Sequence, residues 1–180
     1  MHKSMPRLQQ LRFMKFKISI EDIFECSLER AFKTPMLSDV TQVHTGMGLM
    51  PKIIGTSDDA DWGKVGSSKK VYAAASAFNK GGYVSRDHVL ERDENMRWKI
   101  RVDDFQAWML GFYQFEGTWE TTFLSDNRTK VIYTYELYCR NIFLYPLAWM
   151  FAFRFWKRYM RQVMENVKGM CAREEAYLFP

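Results

Sequence analysis

Between Gly66 and Arg140, apolar and polar residues alternate with a period of two, the repeat of strands that bury one face. The alternation stops at Asn79-Lys80-Gly81-Gly82, at Asp93-Glu94-Asn95 and at Ser125-Asp126-Asn127-Arg128, all rich in turn formers. Strands are therefore predicted over residues 67–78, 83–92, 96–105, 112–124 and 129–140. Connections this short hold no crossover helix, so the strands pair antiparallel. Upstream, KFKISIEDIFE (15–25) alternates and is partly β-branched, which predicts a first strand. Ser27 reads as the N-cap of a short helix through SLERAFKTPM that should stop near Pro35. Residues 37–49 read as a second short helix ending at the glycines of TGMG. KIIGTS (52–57) is a short strand before the polar loop DDADWG. Near the C-terminus the period changes. Trp156, Tyr159, Met160, Val163, Val167, Met170 and Cys171 follow i, i+3, i+4, i+7 spacing on a helix that begins at Pro146. Arg154, Lys157, Arg158, Arg161 and Lys168 flank that stripe. Strand, two short helices, six strands and one long helix predict an α+β domain. In it a curved antiparallel seven-stranded sheet wraps around the C-terminal helix.

The start of that helix, FLYPLAWMFAFRFW (143–156), carries aromatics beyond a single stripe: Leu144, Trp149, Phe153 and Trp156 can share one face, but Phe151 and Phe155 lie on others. Spanning a bilayer takes roughly 20 apolar residues. Arg140 and Arg154 leave only thirteen uncharged positions between them, so the segment lies on something or inside something.

Charge narrows the choice of partners. The formal net charge is +5, but Lys3, Arg7, Arg12, Lys15 and Lys17 all precede the first acid, Glu21. Removing those five from 26 basic residues leaves 21 against 21 acidic ones, a neutral body. A nucleic-acid binder carries its positive excess on the folded domain, so no nucleic-acid partner is expected. Residues 1–13 read as a basic flexible arm dispensable for folding, Met14-Lys15-Phe16-Lys17 as a natural start, and residues 14–176 as a single domain. Cys26, Cys139 and Cys171 have neither disulfide-framework nor metal-ligand spacing, and their sparse, odd number fits a reducing, cytoplasmic compartment. With His2 on the arm, the three histidines His2, His44 and His88 form no metal triad. No metal and no cofactor are expected.

Several stretches in order resemble the START/polyketide cyclase-like (SRPBCC) superfamily. Trp62-Gly63-Lys64-Val65-Gly66-Ser67-Ser68-Lys69-Lys70-Val71 looks like its entry to the third strand. His88-Val89-Leu90-Glu91-Arg92-Asp93 followed by Arg97-Trp98-Lys99-Ile100-Arg101-Val102 looks like its next hairpin, with Glu94-Asn95 in place of the usual proline-containing turn. Gly117-Thr118-Trp119-Glu120 and Val131-Ile132-Tyr133-Thr134-Tyr135-Glu136 look like the hairpin after that. The resemblance spans about residues 15–172 and rests on order and spacing, while the first half of the last helix is more aromatic than the family leads one to expect. It implies a helix-grip fold with a hydrophobic cavity between sheet and helix, where lipids, polyketides and other apolar molecules bind. Some members are cyclases or dehydratases and many are only binders, so the resemblance implies a pocket and no fixed chemistry.

Strand parity then nominates the wall. Trp98, Ile100 and Val102 share one face, as do Tyr113, Phe115 and Trp119, and Tyr133 and Tyr135. With Trp149, Phe153 and Trp156 on the helix they form the expected cavity wall, and the tyrosine hydroxyls could meet a ligand's polar end. Asp103 and Asp104 are adjacent on a strand and point to opposite faces, so they do not converge. His88 shares a face with Arg86, Leu90 and Arg92 and reads as solvated surface; if that face is concave, Arg86 and His88 become an anion-binding pair. His44, near the glycine-rich end of the short helices, is a candidate at the cavity mouth. The expected function is binding of a hydrophobic or amphipathic small molecule by a monomer or homodimer. The alternatives are a cyclase or dehydratase acting in the same cavity, and a protein that docks on a membrane or a second copy through its aromatic helix. Burial of that segment as cavity roof is expected rather than docking on a membrane surface.

Overall fold

The long alternating segments form strands because each offers an apolar row to a shared interior and a charged row to water. A computed structural model describes residues 14–76, 80–106 and 111–180. The expected arm (1–13) and the end of the strand expected to reach residue 78 lie outside those residues. The strands are β1 (Met14–Phe24), β2 (Ile53–Ser57), β3 (Ser68–Ala73), β4 (Gly82–Asp93), β5 (Arg97–Asp103), β6 (Phe112–Ser125) and β7 (Arg128–Cys139). They make one antiparallel seven-stranded sheet in the order β1-β7-β6-β5-β4-β3-β2. The outer face is polar and laced with ion pairs such as Lys99–Glu116 at 3.1 Å and Lys15–Glu136 at 3.0 Å. The inner face carries Trp98, Phe115, Trp119, Val131 and Leu137, all buried.

Two helices sit between β1 and β2. Helix α1 (Leu28–Leu37) starts at Ser27, whose hydroxyl accepts from the Arg30 N–H at 3.3 Å, as the sequence predicts. Pro35 does not stop it, and the helix continues to Leu37. A proline removes the N–H that would bond the carbonyl four residues back. Here that carbonyl, Ala31, accepts from the Trp119 indole N–H at 3.0 Å. Trp98 donates likewise to Phe32 at 3.0 Å, and Trp62 to Met36 at 2.7 Å. Three indoles thus satisfy buried backbone oxygens; those of Trp98 and Trp119 tie α1 to the sheet, and that of Trp62 ties it to the β2–β3 loop. Helix α2 (Val40–Val43) is shorter than the helix expected over 37–49. Gly46 ends that possibility: its φ is +81°, and a Cβ there would stand 2.6 Å from the Lys52 nitrogen.

The C-terminal helix supplies the other wall. It runs from a 3₁₀ turn (Ile142–Leu144) through α3 (Tyr145–Met150) and a π-helical turn (Phe151–Trp156) into α4 (Lys157–Ala172). All seven residues of the predicted stripe are buried. In the widened turn the Lys157 N–H reaches back five residues to the Ala152 carbonyl. The extra residue rotates everything upstream relative to an α-helix. Ala148, Phe151 and Ala152 therefore face the core, while Trp149 and Phe153 are 50% and 38% exposed. The residues after 176, the expected domain end, also pack on the body. The Leu178 and Phe179 N–H groups donate to the Leu37 carbonyl at 2.7 and 3.2 Å, and Tyr177 and Phe179 lie against the core.

Candidate functional site

Sheet curvature and the two short helices leave space above the inner face that side chains do not fill. The larger hollow, about 140 Å³, lies between β2–β6 and the C-terminal helix and is lined mainly by apolar groups such as Val71, Phe105 and Phe115. A smaller one, about 40 Å³, lies next to it under α1, against Pro35, Met36 and Trp119. His44, Ile100 and Tyr135 border both.

Most of the sequence-predicted wall is brought together here. Trp98, Trp119 and Tyr133 line the smaller hollow, and Val102, Phe115 and Trp156 the larger. Gly117 makes this arrangement possible. It pairs with Tyr135 across the β6–β7 ladder, and a Cβ on it would approach the Tyr135 ring to 2.8 Å. The missing side chain gives the tyrosine ring its place on the sheet. Tyr133 and Tyr135 meet edge to face at 5.2 Å. Burial pushes both phenols up, and each also feels another group, Tyr133 its neighbour Tyr135 and Tyr135 the Asp87 charge.

Three predicted wall residues are elsewhere. Tyr113 faces outward, with the Arg140 guanidinium 4.2 Å above its ring and Tyr138 alongside. The cause is a bulge between Phe112 and Gln114, which reverses the parity of the strand start and turns Phe112 inward instead. Trp149 and Phe153 border neither hollow, because the π-helical turn rotates them out. Arg86 and His88 also face out. Arg86 donates to Ser68 Oγ at 3.1 Å, and His88 Nε2 lies 3.0 Å from Asp103 Oδ1. His88 is thus part-buried on the outer face beside Asp103, and Arg86 and His88 do not meet in the cavity.

His44 is in the wall, clamped from several sides. Its Nδ1 lies 2.8 Å from the Tyr159 hydroxyl. Its carbonyl accepts from the Ile53 N–H at 2.9 Å. The chain on either side of it is held to α4 by Gln162, which donates to Thr45 Oγ1 at 2.8 Å, and by Asn166, which donates to Thr45 Oγ1 and to the Val43 carbonyl, each at 3.0 Å. Burial, then the Lys69 charge, lower the imidazole to about 4, so it is neutral near pH 7. Burial likewise pushes the Tyr159 phenol up.

The charged member of the larger hollow is Asp87, which the sequence reading passed over. Parity contained the signal: if Arg86 and His88 face water, Asp87 faces inward with Ser85 and Val89. Its carboxylate makes no hydrogen bond or ion pair with any described residue. Burial pushes it up to about 6, against the pull of Lys69. Lys69 is its partner across β3–β4 and is buried on the same face. The Lys69 ammonium sits 3.8 Å over the Trp62 ring, and burial lowers it to about 8. The Trp156 indole N–H, in the same wall, also has no acceptor among the described residues. Together these form an apolar hollow with a few convergent polar groups: one carboxylate, one neutral imidazole and the Tyr135 and Tyr159 hydroxyls. Among the described residues no cluster of His, Cys, Asp and Glu could hold a metal ion.

A curved antiparallel sheet closed by a long helix over an apolar hollow defines a helix-grip protein with an internal apolar cavity. The chain belongs to the family described as polyketide cyclase / dehydrase and lipid transport, whose model matches residues 35–171. Among solved structures it is similar to the protein of unknown function SA2116 from Staphylococcus aureus, with a TM-score of 0.69 and 9% identity over 92% of this chain and 98% of that one. It is also similar to a norcoclaurine synthase point mutant from Thalictrum flavum in complex with a transition state analogue, with a TM-score of 0.65 and 13% identity over 92% and 99%. Ara h 8.0201 gives 0.61 and 12% over 89% and 99%. At these identities the likeness concerns the fold. No curated protein matches the chain.

Proposed function

We propose that the protein binds an amphipathic small molecule in the larger hollow, apolar part against Val71, Val102 and Phe115, polar end toward Asp87. The observation that carries this is Asp87, a carboxylate in an apolar wall that makes no hydrogen bond or ion pair with any described residue. A buried polar group left unpaired is costly, so a ligand donor placed there has a large effect on affinity. A hollow of about 140 Å³ is of the size that accepts a single aromatic ring, which favours a small polyketide-like or aromatic ligand over a long acyl chain.

The same group supports a second reading, an enzyme of the cyclase or dehydratase type. A carboxyl that titrates near 6, with a neutral histidine and two tyrosines around the same space, suits removal of a proton next to a substrate carbonyl. One experiment addresses both readings. Protein purified from its own host and examined by native mass spectrometry should carry a small molecule, and Ser85→Phe, which fills the hollow, should carry none while staying folded. Retention by both, or by neither, would overturn the cavity reading. Incubated with the retained molecule in deuterated water, wild type but not Asp87→Asn should exchange its α-hydrogens if the enzyme reading is right; no exchange leaves the binder.

A further inference from the structure

The inner wall uses only half of the aromatic segment. Turned the other way are Ile142, Phe143, Leu147 and Met150, with Phe143 91% exposed. Beside them, Tyr145, Trp149 and Phe153 form a row of rings: Tyr145 lies 5.6 Å and Phe153 6.3 Å from Phe16, and Trp149 lies 5.4 Å from Phe153. Contiguous exposed apolar surface of this kind marks an interaction site.

Its charge identifies the partner. From Leu137 to Met164 the chain contains Arg140, Arg154, Lys157, Arg158 and Arg161 and no acid. Arg154, Arg158 and Arg161 follow i, i+4, i+7 spacing and are exposed. Those three and Lys157 make no ion pair with any described residue, although most other surface cations of the domain do. A second copy meeting this patch through a twofold axis would set these cations against themselves, because such an interface pairs a surface with its own equivalent. A neutral apolar partner would leave them unused. An anionic lipid surface accepts both features: aromatic and aliphatic side chains at headgroup depth, and arginine and lysine heads at the phosphates. The segment is too short to span, and among the described residues no helix is long and apolar enough to cross a membrane. On a bilayer, a segment this short would lie in the interface plane.

We propose that the 3₁₀ turn, α3 and the π-helical turn form an anionic-membrane docking surface, separate from the ligand cavity. The π-helical turn divides the two roles. It sends Phe151 and Trp156 into the core and Trp149, Phe153 and Phe155 out.

Vesicle flotation of the full chain tests this. Phosphatidylcholine vesicles containing phosphatidylserine should carry the protein upward, pure phosphatidylcholine vesicles at least tenfold less well. Binding should weaken several-fold as salt rises from about 0.05 to about 0.5 M, where screening shortens to a few ångström. Phe143→Asp should lose most of the binding with an unchanged melting temperature, because its side chain has no core contact to lose. Arg154→Glu with Arg158→Glu should do the same. Asp87→Asn and Ser85→Phe should float like wild type, which keeps this outcome separate from that of the cavity. Absence of flotation with phosphatidylserine would overturn the proposal, as would flotation that Phe143→Asp and the double arginine variant leave intact. A dimer that Phe143→Asp converts to monomer, with no vesicle binding by either form, would assign the patch to a second copy instead.

Discussion

Asp87 shows how one residue's environment sets its chemistry. Its carboxyl titrates near 6 against an ordinary 3.8, because the apolar wall disfavours its charged form more than Lys69 favours it. The folded state therefore holds this proton more tightly than the unfolded state. The resulting stabilisation is complete below about pH 3.8 and is lost as pH rises through about 6. Asp87→Asn, which cannot ionise, should be more stable than wild type by about 1–3 kcal/mol at pH 8. The difference should vanish below about pH 4 in urea unfolding, and equal stabilities at pH 8 would show that Asp87 is solvated. His44 acts with the opposite sign. Its folded value near 4 lies below the ordinary 6.5, so its contribution is complete above 6.5 and is lost as pH falls through 4. Gly117 matters for what it lacks. Any side chain there would enter the space of the Tyr135 ring.

At the level of the element, α1 survives an internal proline because the sheet supplies a donor for the carbonyl that Pro35 leaves free. Trp119→Phe removes that N–H while keeping an aromatic ring. It should cost about 1–3 kcal/mol, the penalty of a buried unpaired carbonyl. The same substitution in a Pro35→Ala background should cost less, since alanine at that position restores a backbone N–H. A double-mutant cycle with no coupling between the two positions would show that the indole bond does not serve this purpose. The π-helical turn is the other decisive element. One extra residue in a turn decides that Phe151 is core and Phe153 is surface, the reverse of what strict α-helical spacing back from Trp156 predicts.

Across the whole molecule, the last residues complete the enclosure. Leu178 and Phe179 bond the end of α1, and Tyr177 lies 5.0 Å from the Arg30 guanidinium. Deleting residues 177–180 exposes core surface now covered by two aromatics and frees the Leu37 carbonyl. The loss should be about 2 kcal/mol by area. For a chain of this size that lowers the melting temperature by roughly 4–8 °C. A truncated chain that melts with wild type would mean that the tail only rests on the surface.

Element order, strand pairing, the Ser27 cap and the C-terminal stripe were all legible in the sequence, because each follows from local periodicity or turn chemistry. So were Trp98, Ile100, Val102, Phe115, Trp119, Tyr133, Tyr135 and Trp156 as one inward-facing set, since parity along an unbroken strand or helix carries faces forward. Parity fails where a ladder gains a residue. The bulge at Phe112–Gln114 turned Tyr113 outward, and the π-helical turn did the same to Trp149 and Phe153. Neither irregularity leaves a mark in hydrophobic spacing. The approach of His44 to Tyr159, 115 residues apart, and of Trp119 to the carbonyl beneath Pro35 depends on how the sheet curves around the helix. That curvature is a property of the packed whole, and no stretch of sequence contains it.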